Sequence, residues 1–171
     1  TFISVVCVVG LLACTPERVA VKDSAPLWLD FEELRAASAL VTSNDVPVLS
    51  GSDLSKLDKA ADLYRGGFLE GCDADWCLIE RESLTLAYQF ILERLMTHHG
   101  AVGDWSSVVK TSNRLLVLDP FLEHVHRTKM RALGKMGERA KVAEQYMRIR
   151  DLLRDELNVE PFPETEQAFR E

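Results

Sequence analysis

The sequence is short of backbone punctuation and of reactive chemistry. It has six prolines and nine glycines in 171 residues and no low-complexity stretch, which argues against long structureless tracts. Four cysteines (Cys7, Cys14, Cys72, Cys77) are too few for the disulfide framework of a small secreted domain, so a soluble cytoplasmic chain with thiols is expected. No uninterrupted apolar run reaches the roughly 20 residues of a membrane-spanning helix, and no membrane partner is expected. There is no phosphate-binding glycine loop, nucleophile elbow or H-E-x-x-H motif. The histidines do not form a ligand set. His98 and His99 are adjacent at a helix end, and His124 and His126, two apart on a helix, point about 200° away from each other. Cys72 and Cys77, with Asp73 and Asp75, lack a second ligand pair at metal-site spacing. Glu80 and Glu82 diverge for the same geometric reason and make no acid–base pair. The expectation is therefore no catalytic residue, no metal, no cofactor and no enzyme.

What is present is ordinary globular material, with 47% hydrophobic and 27% charged residues, enough for one domain with a real core. The net charge of −7 is unevenly distributed. Residues 45–82 carry nine acids and four bases, residues 121–154 nine bases and four acids, and residues 155–171 six acids and one base. A basic helical block can meet phosphates, but here the acidic segment that follows can neutralise it, and the acidic total argues against nucleic-acid binding by this chain itself.

The opening stretch TFISVVCVVGLLAC has no charge, and two readings of it stand. LLAC resembles a lipobox that would place a lipid on Cys14, although the basic region that normally precedes one is missing. Alternatively, Ile3, Val5, Val6, Val9, Leu11 and Leu12 are the buried end of a truncated neighbouring domain, and ERVAVKD alternates like a strand. Residues 1–29 are thus expected to be the remnant of a preceding domain or a linker, with a short β element, and residues 30–171 to be a helical domain.

Helical periodicity dominates the rest. DFEELRAASAL reads as a helix capped by Asp30, and DLSKLDKAADLYRG as one with Asp53 as candidate N-cap and Gly66-Gly67 closing it. TSNDVPVLSGS between them reads as a loop. From Trp76 to His99, Ile79, Leu84, Ala87, Ile91, Leu95 and Met96 recur at steps of three and four, predicting one long amphipathic helix.

The second half repeats itself at a spacing of 34 residues. Met96 matches Met130, Gly103-Asp104 matches Gly137-Glu138, Val108 matches Val142, Leu115 matches Ile149, and Leu118 matches Leu152. This is the tetratricopeptide period, in which two antiparallel helices meet at a tight turn that favours glycine. Asp119-Pro120 separates the copies. Near the end, Asn158 tolerates the left-handed conformation that stops a helix, Pro161 blocks continuation, and Pro163 suits the first turn of a new one. Trp76, Trp105, Phe121 and Tyr146 are expected in the core. The fold expected is all-α, a right-handed tetratricopeptide-like array of about seven helices.

Several phrases together resemble the bacterial transcriptional activator domain of the SARP-type (Streptomyces antibiotic regulatory protein) regulators. They are LYRGGFLEG, DWCLIERESL, LDPFLEHVHRTKMRALGKMGERAKVAEQY and ELNVEPFPET. The resemblance is close over residues 63–171. Upstream, ERVAVKDSAPLWLDFEELRAA is similar to the exit from the winged-helix domain that precedes this module in such regulators. Asn158 stands where the family usually has glycine. Phe162 replaces a capping serine, a loss of up to about 1 kcal/mol that should leave the last helix prone to fraying. Before residue 18 there is no Arg or Lys, so DNA reading is expected only through a domain not intact here.

The resemblance implies a protein-interaction and oligomerisation module that supports transcription activation. It would bind a protein segment, a second copy or a small effector through the concave face supplied mostly by the first helix of each pair. His98, Glu123, His126, Arg127, Met130 and Arg131 are the candidates on that face. The rival expectation, a repeat-bearing scaffold lipoprotein of the bacterial envelope, rests on LLAC.

Overall fold

The computed structural model describes residues 12–15, 18–21, 30–43, 47–66 and 75–171. The expected packing of Ile3 to Leu11, the Cys72–Asp73 segment and the closing Gly67 lie outside the described residues. Leu12–Thr15 (β1) and Arg18–Val21 (β2) pair antiparallel, Leu12 opposite Val21 and Thr15 opposite Arg18.

The remaining described residues build seven α-helices: α1 (Asp30–Ser43), α2 (Gly51–Leu63), α3 (Asp75–Val102), α4 (Trp105–Leu118), α5 (Glu123–Lys135), α6 (Arg139–Leu152) and α7 (Pro163–Arg170). Successive helices pack as neighbours, with α1 on α2 and α3, α3 on α4, α4 on α5, and α5 on both α6 and α7. This is the expected all-α array, built mainly from local pairings.

The turns explain the periodicity. Gly103 and Gly137 have φ of 77° and 76°, the left-handed region where a side chain is strained. Around them the same backbone hydrogen bonds recur 34 residues apart. Asp104 N–H donates to the His99 carbonyl (2.9 Å) and Glu138 N–H to that of Leu133 (3.0 Å), while Val108 and Val142 N–H groups donate to the carbonyls of Asp104 and Glu138 (3.1 Å each). Buried Met96, Val108 and Leu115 in the first copy correspond to buried Met130, partly buried Val142 and buried Ile149 in the second. The turns differ in one respect. Asp104 caps α4 by accepting from the Ser107 N–H (3.1 Å) and the Ser106 hydroxyl (3.0 Å), whereas Glu138 makes no side-chain cap on α6. The bonds from Ser107, then Ser106, hold the Asp104 carboxyl down to about 2.

Three expectations are corrected. The N-cap of α2 is Ser50, whose hydroxyl accepts from the Asp53 N–H (3.2 Å) and donates to the Asp53 carboxylate (2.8 Å), so Asp53 is the third residue of a reciprocal cap. The long helix runs from Asp75 to Val102, wider than Trp76 to His99 at both ends. Trp76 and Ile79 are not core but 61% and 69% exposed. Trp105, Phe121 and Tyr146 are all partly buried, Trp105 against the main core and Tyr146 stacked on Phe169 with ring centroids 4.4 Å apart.

The main core joins α1 to α5 through Leu34, Leu57, Leu84, Ile91, Leu92, Leu115 and Val125, each essentially sealed from water. Each large side chain of this kind contributes about 1.5–3 kcal/mol by burial. Arg114 of α4 ties the first four helices' core to its edge. Its Nε donates to the Tyr88 hydroxyl (2.8 Å), its second amino group donates to the Ala61 carbonyl, and Tyr88 stacks on Tyr64 with centroids 4.0 Å apart.

Candidate interaction surface

At Asn158 (φ 53°, ψ 40°) the chain leaves a π-helical extension of α6, Leu153–Leu157, and its N–H donates to the Arg154 carbonyl (3.1 Å). Pro163 then opens α7 as expected, but Phe162 gives it no side-chain cap. Glu123, at the start of α5, takes over that role. One oxygen of its carboxylate accepts from the Phe162 N–H (2.9 Å) and from the Thr165 hydroxyl (2.6 Å), and Arg127 Nη1 donates to the same hydroxyl (3.2 Å). A carboxylate at the positive end of a helix is favoured by charge as well as by hydrogen bonding. Thr165 and Ala168 are buried beneath it, Phe169 stacks on Tyr146, and Arg131 Nε donates to the Glu171 carboxylate (3.0 Å). The predicted fraying of α7 is thus opposed from 39 residues away, which no local reading of the ending could show.

The six candidate partner residues divide evenly. Glu123, Arg127 and Arg131 face α7 and hold it. His98, His126 and Met130 are buried in the fold. His98 Nδ1 accepts from the Leu49 N–H (3.0 Å), which ties the loop before α2 to α3. His126, 1% exposed, donates from Nε2 to the Pro120 carbonyl (3.0 Å) and accepts at Nδ1 from the Gln145 side chain. Burial pushes the pKa of both imidazoles down, for His126 against the opposing pull of the Pro120 carbonyl. Both hydrogen-bond sets suit the neutral ring protonated on Nε2. Three of the expected contact residues are therefore core residues as the chain stands, and only Arg131 is exposed.

Besides a groove of ≈ 790 Å³ between α1 and α2, two further grooves are open. Along α3, Ile79, Leu86 and Phe90 are exposed on one stripe and, with Arg35, Ser38 and Ala39 of α1, line a shallow groove of ≈ 520 Å³. The second is a groove of ≈ 630 Å³ at the α5–α6 turn, bordered by α7 and lined by Met130, Arg131, Lys135, Arg139, Val142 and Phe169 among others. It sits in the basic block, since α5 and α6 together carry eight Arg or Lys against three acids. Inside that hairpin, burial and then the nearby Arg148 push the Lys129 pKa down. Among the described residues no three His, Cys, Asp or Glu side chains gather as a metal site, and no helix is long and apolar enough to cross a membrane.

A sequence model described as the bacterial transcriptional activator domain matches residues 29–171. The chain belongs to that family. The activator-domain family is regulatory, and this member presents it as a tetratricopeptide-like helical array. Its fold is similar to the C-terminal TPR-containing domain of a Plasmodium falciparum protein named for FK506 binding, at a TM-score of 0.50 and 13% identity, covering 82% of this chain and 83% of that one. No curated protein sequence matches the activator-domain chain. At that identity the structural likeness bears on fold alone.

Proposed function

We propose that this chain is the protein-interaction and oligomerisation module of a cytoplasmic bacterial transcription regulator of the SARP type, working beside a DNA-binding domain elsewhere in the same protein. It acts by binding rather than by catalysis. The observation that carries the reading is the match of the transcriptional activator family across residues 29–171. The helical array supports it physically, because stacked helix pairs leave preformed grooves in which a protein segment or a second copy can dock with little ordering cost.

We place partner contact on the surface shared by α5, α6 and α7, with Arg131 retained from the original candidates. Glu123 and Arg127 act there indirectly by fixing α7, and His98, His126 and Met130 by supporting α3 and α5 from inside.

The test compares the native regulator with a version lacking residues 30–171, scoring promoter occupancy and transcript in the same cells. The expected result is loss of transcript, with the DNA-binding domain still able to recognise its promoter in vitro. Undiminished transcription at equal occupancy would overturn the reading. Recovery of the native protein in the membrane fraction with an acyl group on Cys14 would instead mark an envelope scaffold.

A further inference from the structure

The groove at the α5–α6 turn is lopsided in charge. Its ten lining residues include Arg131, Lys135, Arg139 and Arg170 against the single acid Glu171, a balance of 4 − 1 = +3. Two of the bases are already engaged, Arg131 with Glu171 (3.0 Å) and Arg170 with Glu166 (2.9 Å). Lys135 and Arg139, both exposed and set on either side of Gly137, make no ion pair among the described residues. Beneath this rim lie apolar side chains: buried Met130, partly buried Val142 and the open edge of Phe169, which is held from behind by its stack on Tyr146.

We propose that this groove binds an acidic segment of a partner protein that also carries an aliphatic or aromatic anchor. The inference rests on the interaction-module reading and names the class of partner. Lys135 and Arg139 meet the carboxylates, and the anchor enters between Val142 and Phe169. Charge complementarity selects the occupant: a cationic rim raises the association rate of an acidic partner, and a desolvated apolar contact slows its release. Duplex DNA fits less well. Its phosphates would use the rim but not the apolar floor, and the chain as a whole carries −7.

The assay is fluorescence anisotropy with the native regulator and a labelled peptide rich in Glu that bears one Phe and two Leu, set against the same peptide with every Glu replaced by Gln. The Glu peptide is expected to bind saturably, at least about tenfold more tightly than the Gln peptide, and to weaken as salt rises toward about 0.3 M. Lys135→Glu with Arg139→Glu, two exposed changes that leave the core untouched, should cost at least about tenfold in affinity at unchanged circular dichroism. Val142→Ser, which removes the apolar contact without changing the charge, provides an independent check on the floor, with a smaller expected loss at unchanged circular dichroism.

Equal binding of the two peptides, no saturable binding, or indifference to the charge reversal would overturn the proposal. Tighter binding to a random-sequence DNA duplex would do so too, as would dissociation of a homo-oligomer by the charge reversal with no effect on the peptide. Should the peptide fail while removal of residues 30–171 still abolishes transcription, only this groove is refuted and the module reading survives.

Discussion

Glu123 is the residue whose role is least visible from its neighbours in sequence. Phe162 can be recognised as a missing cap, but its replacement lies 39 residues upstream and is found only once α5 and α7 are packed together. Removing that carboxylate leaves the Phe162 N–H and the Thr165 hydroxyl without their acceptor. Glu123→Ala should therefore destabilise the α7 end by about 1–3 kcal/mol, seen as faster amide exchange across residues 163–170. Phe162→Ser, by restoring a local cap, should recover about 1 kcal/mol of that loss. His98 and His126 invert a different expectation. They read as polar points on a binding face, yet each is the satisfied polar member of a buried contact, a role signalled in sequence only by the apolar Val125 and Met130 around His126.

The two histidines also fix a pH response. Burial lowers both pKa values below the unfolded value, with His99 and Arg94 adding to the effect on His98 against Asp58, and Lys129 and Arg148 adding to that on His126 against Glu123. The unfolded chain then binds more protons than the folded one below pH about 6.5. Stability should be level above about pH 7 and fall as pH drops below about 6.5, read as a declining urea midpoint at constant m-value. A midpoint that rises on acidification would contradict the burial of these rings.

At the scale of elements, the second half was the most legible part of the chain. Backbone chemistry repeats there along with the side chains, and a glycine with φ near 77°, a fixed set of turn bonds and a triplet of buried or partly buried apolar positions recur at one spacing. Replacing either glycine by alanine places a Cβ in the left-handed region and should cost about 1–2 kcal/mol, measured by chemical denaturation. Because nothing lies within 4 Å of either added Cβ, that cost is conformational rather than steric. The long helix α3 was legible in extent but not in facing. Its apolar residues occur around most of its circumference, so periodicity alone could not tell buried Leu84, Ile91 and Leu95 from exposed Ile79, Leu86 and Phe90. The start of α2 was misjudged by three residues because Ser50 and Asp53 are both good caps, and only the hydrogen bonds show which one is outermost.

At the scale of the molecule, the alternation of charge along the sequence becomes a basic α5–α6 hairpin with the acidic terminal segment packed on one side of it. That neutralisation is partial. Glu171 engages Arg131, while Arg170 of α7 pairs with Glu166 of its own helix, so Lys135 and Arg139 remain at the turn and the anticipated cancellation of the basic block explains only part of the surface. Family membership and the helical array together make this a transcriptional-activator-type domain on a fold suited to protein interaction, and the proposed function is activation of transcription through such binding. The measurement that tests this most directly is sufficiency: fuse the whole chain to an unrelated DNA-binding domain and quantify transcript from a bacterial promoter carrying that domain's operator. The account predicts transcription several-fold above the DNA-binding domain alone at equal promoter occupancy. No increase at equal occupancy would contradict it.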